Sequence, residues 1–296
     1  MPISPALTVF DDSVHQFINA DFDVRMLDNS CRFTEGPVWN RDGFYLFSDI
    51  PQNVIYKIES GNAKEIYLAE SGCSKGNTRE LAEQIGSNGL AYDSSGNLLI
   101  CQHGNGAVAQ YDGTFSKPHI TLYNGRPFNS PNDIVAHENG SIFFSDPPYG
   151  LKDAKLAPQQ GQDKACFYCW RNGDLKIITD RYQYPNGVCL SPDGRNLYTC
   201  SNKAFEAFVL EWDVETLQLK RHVAAETSDG IKCDRVGNLW LCTKEGVLII
   251  NNEGQRLALI KMETVPANCC WGGREGKDLF ITARQNIFLI SDLQKA

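Results

Sequence analysis

Glu35, Asn88, Asn132, Asn186, Asp229 and Asn268 each open a short apolar run, and eight residues after each stands a glycine: Gly43, Gly96, Gly140, Gly194, Gly237 and Gly276. Two carboxylates and four amides, once brought together, offer a metal only oxygen. That is the chemistry of a hard cation, Ca²⁺ first, with Mg²⁺ or Mn²⁺ as alternatives. Zn²⁺ ranks behind them because no histidine or cysteine joins the set. Asn or Asp before Gly is also an ordinary turn former, so the six could merely cap strands. Glu35 is a poor turn residue, however. Apolar strand starts also make an inward amide ring costly unless something satisfies it.

The elements that must position these side chains repeat with them. The openings are Glu35-Gly36, Asn88-Gly89, Asn132-Asp133, Asn186-Gly187, Asp229-Gly230 and Asn268-Cys269. The later glycine, often preceded by Asp or Asn as in Arg41-Asp42-Gly43, marks a turn between antiparallel strands. A second apolar run follows, as in Tyr45-Leu46-Phe47 or Leu239-Trp240-Leu241, and then a small residue: Ser48, Cys101, Ser145, Cys200, Cys242 or Thr282. Successive openings are 53, 44, 54, 43 and 39 residues apart, the size of a four-stranded blade. The spacing predicts an all-β, six-bladed propeller in one domain over residues 1–296. After Asn268 too little chain remains for a full blade, so the stretch Asp23–Leu27 is expected to supply the outer strand and close the ring. Residues 69–87 and 150–164 exceed the blade length and read as loops over one end of the channel, the first with a short helical piece near Leu81.

In such a ring the six openings converge at one end of the channel. Residues after the second strands should line the same mouth: Asp49, Gln102, His103, Asp146, Asn202, Lys244 and Arg284. A polar mouth suits a hydroxylated small molecule. His103 is a candidate for proton transfer or substrate binding, or else structures the mouth. Cys166 and Cys169 have CxxC spacing, but they fall in a strand where an offset of three puts them on opposite faces, against metal binding. No GxSxG, P-loop, HExxH or dinucleotide fingerprint is present in context, so serine catalysis and nicotinamide chemistry have no support.

A formal charge of −8 without a basic stripe argues against nucleic acid as a partner. No apolar run is long enough to span a membrane, and the first residues lack a signal-peptide pattern. Eleven cysteines, an odd number in a long chain, point to free thiols and a cytoplasmic protein. No obligate protein partner is indicated.

Thr34-Glu-Gly-Pro-Val-Trp39, Cys101-Gln-His-Gly104, Asn129-Ser-Pro-Asn-Asp-Ile134, Phe144-Ser-Asp-Pro-Pro-Tyr-Gly150, Tyr184-Pro-Asn-Gly-Val188, Ser191-Pro-Asp-Gly194 and Ser228-Asp-Gly-Ile231 occur in order along the chain. Together they resemble the SMP-30/gluconolactonase/luciferin-regenerating family of six-bladed propellers, in its bacterial gluconolactonase branch. The resemblance implies one divalent cation at the channel mouth, held by Glu35, Asn186 and Asp229. Asn132 would be a fourth ligand or a substrate contact. It implies Asp229 as general base too. The animal branch carries arginine where this chain has Ser130, so substrate contacts from that branch do not transfer; His103 and Arg284 are the candidates for equivalent work. The expected activity is metal-dependent opening of a sugar lactone such as glucono-1,5-lactone, with Asn132, His103, Asn88 and Arg284 binding substrate. Two alternatives stand beside it: ester or phosphotriester hydrolysis at the same metal, and a non-catalytic binding platform with a structural metal.

Overall fold

A computed structural model describes residues 6–59, 61–74, 82–153 and 161–295. The six repeats form six antiparallel sheets, numbered here as blades 1 to 6. Their inner strands are Thr34–Asn40, Ser87–Tyr92, Ile134–Ala136, Pro185–Leu190, Ile231–Cys233 and Asn268–Gly272. Each inner strand touches the next, and the inner strand of blade 6 touches that of blade 1, so the sheets close into a ring. The repeat glycines make the hairpin turns the sequence requires: all six have φ between +66° and +104°, where a side chain is strained.

The ring also closes where expected. Arg25–Asp28 pairs with Asn286–Ile290 and completes blade 6. A second N-terminal strand, Leu7–Val9, was not anticipated; it adds a fifth strand to blade 5 by pairing with Ala258–Ile260. Three residues carry too little alternation to announce a strand. Behind it Val14, Ile18 and Phe22 pack against Trp240, Leu279 and Ile281, sealing the outside of blades 5 and 6.

Between blades the packing is apolar. Cys166 faces Ile134 and Phe144, whereas Cys169 faces Phe143, Leu210 and Trp212, so the two thiols lie on opposite faces as predicted. No disulfide occurs among the described residues. Nor is any helix among them long and apolar enough to cross a membrane.

The glycine that follows four of the six opening residues has a different purpose from the turn glycines. A Cβ on Gly36 would lie 2.0 Å from the carbonyl oxygen of Asn88, and one on Gly89 would lie 2.4 Å from that of Asn132. Adjacent inner strands approach too closely for a side chain there. The Glu-Gly and Asn-Gly pairs are thus blade contacts and not turns. The small-residue ring works beside them: Ser48 Oγ donates to the Asn88 carbonyl at 2.8 Å, and Thr282 Oγ1 donates to that of Asn268 at 3.1 Å. Gly36→Ala is therefore expected to lower the melting temperature far more than Gly43→Ala. Gly36 has φ +56° and backbone in contact, while Gly43 has φ +104° and open space. The left-handed backbone alone costs about 1–2 kcal/mol, so a Gly36→Ala loss no larger than that of Gly43→Ala would contradict the close-approach reading. Circular-dichroism melts of both variants make the comparison.

Candidate active site

The openings of five blades meet in one cavity of about 290 Å³ at the channel mouth, lined by Glu35, Asn88, Asn132, Asn186 and Asp229. His103 and Arg284 join them, so the residues expected to hold the cation and the substrate are brought together. The volume lies at the small end of the ~300–1,000 Å³ usual for ligand pockets, a size for one sugar ring.

Asp229 is the best-supported carboxylate. Asn186 Nδ2 donates to its Oδ1 at 2.6 Å. Tyr149 Oη donates to Asn202 Oδ1 at 2.7 Å, and Asn202 in turn bonds Asp229. Burial pushes the Asp229 carboxyl up, while the Asn186 bond and the Arg284 charge restrain it; the balance stands at about 6. Glu35 is more deeply buried and takes a bond from the Gly36 N–H at 3.0 Å. Burial first, and then the Asp229 charge, drive its carboxyl well above the usual range.

On the blade 2 wall, Asn88 Nδ2 lies 3.3 Å from Nε2 of His103. An amide N–H donates, so this ring nitrogen is the acceptor. The His103 ring is packed beneath Gly150, where an added Cβ would come within 2.9 Å of it. Ser130, at the arginine position of the animal branch, is buried and used for structure. Its hydroxyl donates to the Pro147 carbonyl at 2.5 Å and accepts from Gly150 N–H at 2.9 Å.

Several mouth expectations need correction. Asn268 does not line the cavity but stands beside Glu35, whose carboxyl its side chain hydrogen-bonds; its Oδ1 accepts from the Cys269 N–H at 2.9 Å, and its amide packs against Gly230. Asp49 is buried and accepts from the backbone of Arg32 and Phe33 at 2.9 and 3.2 Å. Asp146 does the same for Asn129 and Ser130 at 2.9 and 2.8 Å. Gln102 donates to the Ser71 carbonyl at 2.8 Å, and Lys244 is exposed away from the cavity. These polar groups shape the loops because loop backbone N–H and C=O groups, once buried, must find partners.

The loops supply wall residues that the repeat could not reveal: Phe33, Ile50, Gln84, Tyr149 and Lys203. The two long insertions meet beside the mouth, where Ala82 bridges Leu151 and Glu83 N–H donates to Gly150 at 2.9 Å. The helical piece expected near Leu81 lies outside the described residues. Also unforeseen is an ion pair in the channel, Lys232 Nζ to Asp133 at 3.4 Å. Burial opposes the Lys232 charge, but Asp133 outweighs it and pushes the ammonium up. Asp133 also accepts from the Val188 N–H at 3.1 Å, tying blade 3 to blade 4.

The donor set fits a hard divalent cation. Among the described residues no three His, Cys, Asp or Glu side chains are grouped to hold a metal, so amide oxygens would have to complete the site. The Asp229 charge raises the cost of ionising Glu35, and Asn88 Oδ1 is buried without a hydrogen-bond partner among the described residues. Clustered carboxylates beside an unsatisfied amide oxygen are what a Ca²⁺-type ion relieves.

A six-bladed propeller with carboxylates and amides at its mouth defines the architectural class. The chain belongs to the family described as SMP-30/Gluconolactonase/LRE-like, which residues 33–285 match. It is 28% identical over 301 residues to a gluconolactonase of Zymomonas mobilis, spanning 95% of this chain and 84% of that one. Its fold matches that of a gluconolactonase from Xanthomonas campestris with a TM-score of 0.82 at 23% identity, covering 100% and 99% of the two chains. It also matches the calcium-binding regucalcin of Agrobacterium tumefaciens, with a TM-score of 0.73 at 17% identity and coverage of 93% and 95%.

Proposed function

We propose that this chain is a lactonase, a carboxylic ester hydrolase that opens a sugar lactone such as glucono-1,5-lactone in one propeller domain. The observation that carries the reading is a one-sugar cavity walled by hydrogen-bonding amides, with Asp229 held on its wall by Asn186 at 2.6 Å. Relatives named gluconolactonase and pentonolactonase support the reaction class.

Asp229 accepts a proton from the attacking water. A carboxylate whose pKa is raised toward neutrality is a better base than an ordinary one and is still largely ionised at pH ~7.5. Asn186 and Asn202 fix its orientation. Asn132, Asn88 and His103 hold the sugar hydroxyls, and Arg284 attracts the carboxylate that ring opening creates. The polar lining favours this substrate over an apolar ester or phosphotriester. Glu35, Asn186 and Asp229, with Asn132 as a fourth, are the residues that would hold a divalent cation. When bound, it supplies positive charge against which the lactone oxygen becomes negative. Calcium is the first ion to test, since a related propeller is described as calcium-binding. We place the protein in the cytoplasm, consistent with its many buried cysteines.

The test is proton release from glucono-1,5-lactone on EDTA-treated protein with single metals returned. Turnover restored by Ca²⁺, Mg²⁺, Mn²⁺ or Zn²⁺ is expected, together with a higher melting temperature in the same ion. A rate no higher than the spontaneous one, with the ion demonstrably bound, would favour the binding platform.

A further inference from the structure

Two cations line the cavity without a carboxylate within ion-pair distance among the described residues: Arg284 and Lys203. Arg284 lies over the Phe33 ring, its guanidinium carbon 5.2 Å from the centroid, between blades 6 and 1. Lys203 follows the second strand of blade 4, Asn196–Ser201, and faces Tyr149 of blade 3. In a ring of six, the junction of blades 3 and 4 is opposite that of blades 6 and 1. The two cations therefore stand on opposing walls.

The Lys203 ammonium is held by rings. Its Nζ lies 5.2 Å from the Tyr149 centroid and 5.1 Å from that of Tyr184, and those rings stack at 5.8 Å. A ring face positions an ammonium without cancelling its charge, whereas a carboxylate would neutralise it. The nearest acid in sequence is committed elsewhere: Glu206 accepts from the Gln183 and Tyr184 N–H groups at 2.7 and 2.9 Å. Those bonds hold the Tyr184 backbone, and so its ring beside Lys203.

The charges can then be assigned across the cavity. Asp133 and Lys232 balance each other in the channel. Glu35 and Asp229 would face the cation. Arg284, close enough to Asp229 to lower its proton affinity, is placed to meet the carboxylate that ring opening creates. Lys203, on the far wall, has no carboxylate within ion-pair distance among the described residues, which leaves it for a negative group that the substrate brings.

From this opposition we infer that Lys203, set against the stacked rings of Tyr149 and Tyr184, is a specificity residue for a carboxylate at the end of the sugar remote from the lactone. The preferred substrates are monolactones of sugar diacids. A single planar charge matches one ammonium beside two rings, whereas a phosphate dianion calls for more donors than Lys203 provides. The inference rests on the lactonase reading for its chemistry, but not for its charge recognition.

Two measurements separate those parts. Hydrolysis of D-glucaro-1,4-lactone, D-glucono-1,4-lactone and 6-phosphoglucono-1,5-lactone is followed in the parent, Lys203→Met and Lys203→Arg, with the activating cation present. The parent should favour the glucarolactone over the neutral lactone by about tenfold or more in kcat/KM, a size suited to one charge-assisted contact. Lys203→Met should erase that ratio mainly through KM, and Lys203→Arg should keep most of it. A ratio unchanged by Lys203→Met, or a stronger preference for the phosphorylated lactone, overturns the assignment. Calorimetric binding of D-glucuronate against D-glucose needs no turnover. Tighter glucuronate binding, lost in Lys203→Met, upholds the charge recognition even if no lactone is hydrolysed. Equal binding of the two sugars sinks it, even in an active lactonase.

Discussion

Replacing Asp229 by Asn lowers lactone hydrolysis by about 10²–10⁴-fold, the usual contribution of a positioned general base, and leaves the propeller folded. The amide keeps an oxygen where Asn186 Nδ2 now donates at 2.6 Å, so the local geometry survives the change. What is lost is the ability to accept a proton. Melting curves and calorimetric cation titration on the same variant separate loss of the base from loss of the fold or the ion. Full turnover by Asp229→Asn would remove Asp229 from that role. In a non-catalytic platform, ligand binding would persist in the variant and no turnover would exist to lose.

Glu35→Gln is expected to have the opposite effects on function and stability. It should abolish measurable cation binding and cation-restored turnover. Yet it should stabilise the metal-free protein near neutral pH. The carboxyls of Glu35 and Asp229 both have folded-state pKa values above their unfolded ones. Stability contributed by their protonation is therefore fully present below about pH 4 and is lost as pH rises through the folded values, about 6 for Asp229. A glutamine at position 35 cannot ionise and does not incur that loss. In EDTA at pH ~7.5 the variant should melt at least ~2 °C above the parent, the shift expected from about 1 kcal/mol. At pH ~4 the difference should shrink. A variant that melts lower than the parent at pH ~7.5 without metal would show that Glu35 is not under electrostatic strain.

The ring residues were legible because a repeat fixes both blade register and side-chain direction. Once Asn88 and Asn186 occupy the same frame, they must point to the same end of the channel. Loop residues have no such frame. Tyr149 and Lys203 lie on connections of unequal length, and only the fold brings their side chains to 5.2 Å. Asp49 and Asp146 followed the small-residue ring as expected, but the loops' own N–H groups claimed them. The Asp133–Lys232 pair left a readable trace: Asp133 stands where four of the six repeats have glycine, and Lys232 interrupts an apolar run. The Asn-Gly pairs were legible as a pattern but not as a cause. Turn chemistry and close backbone approach both select glycine, and sequence alone does not separate them.

The strand Arg25–Asp28 has a consequence for how the protein is made. Its partner, Asn286–Ile290, lies near the other end of the ring. At ribosomal rates, on the order of 10–50 s separate the synthesis of the two strands. Through that interval the early strand has no sheet to join, and the growing array of blades has an open edge at each end. Met26, half exposed even in the finished molecule, stands between Arg25 and Leu27, and the strand ends on Asp28, whose carboxylate pairs with Lys64 at 2.6 Å. A short charged strand is a poor template for another chain's edge. The last blade to form thus depends on a segment that can wait in solution without recruiting a neighbour.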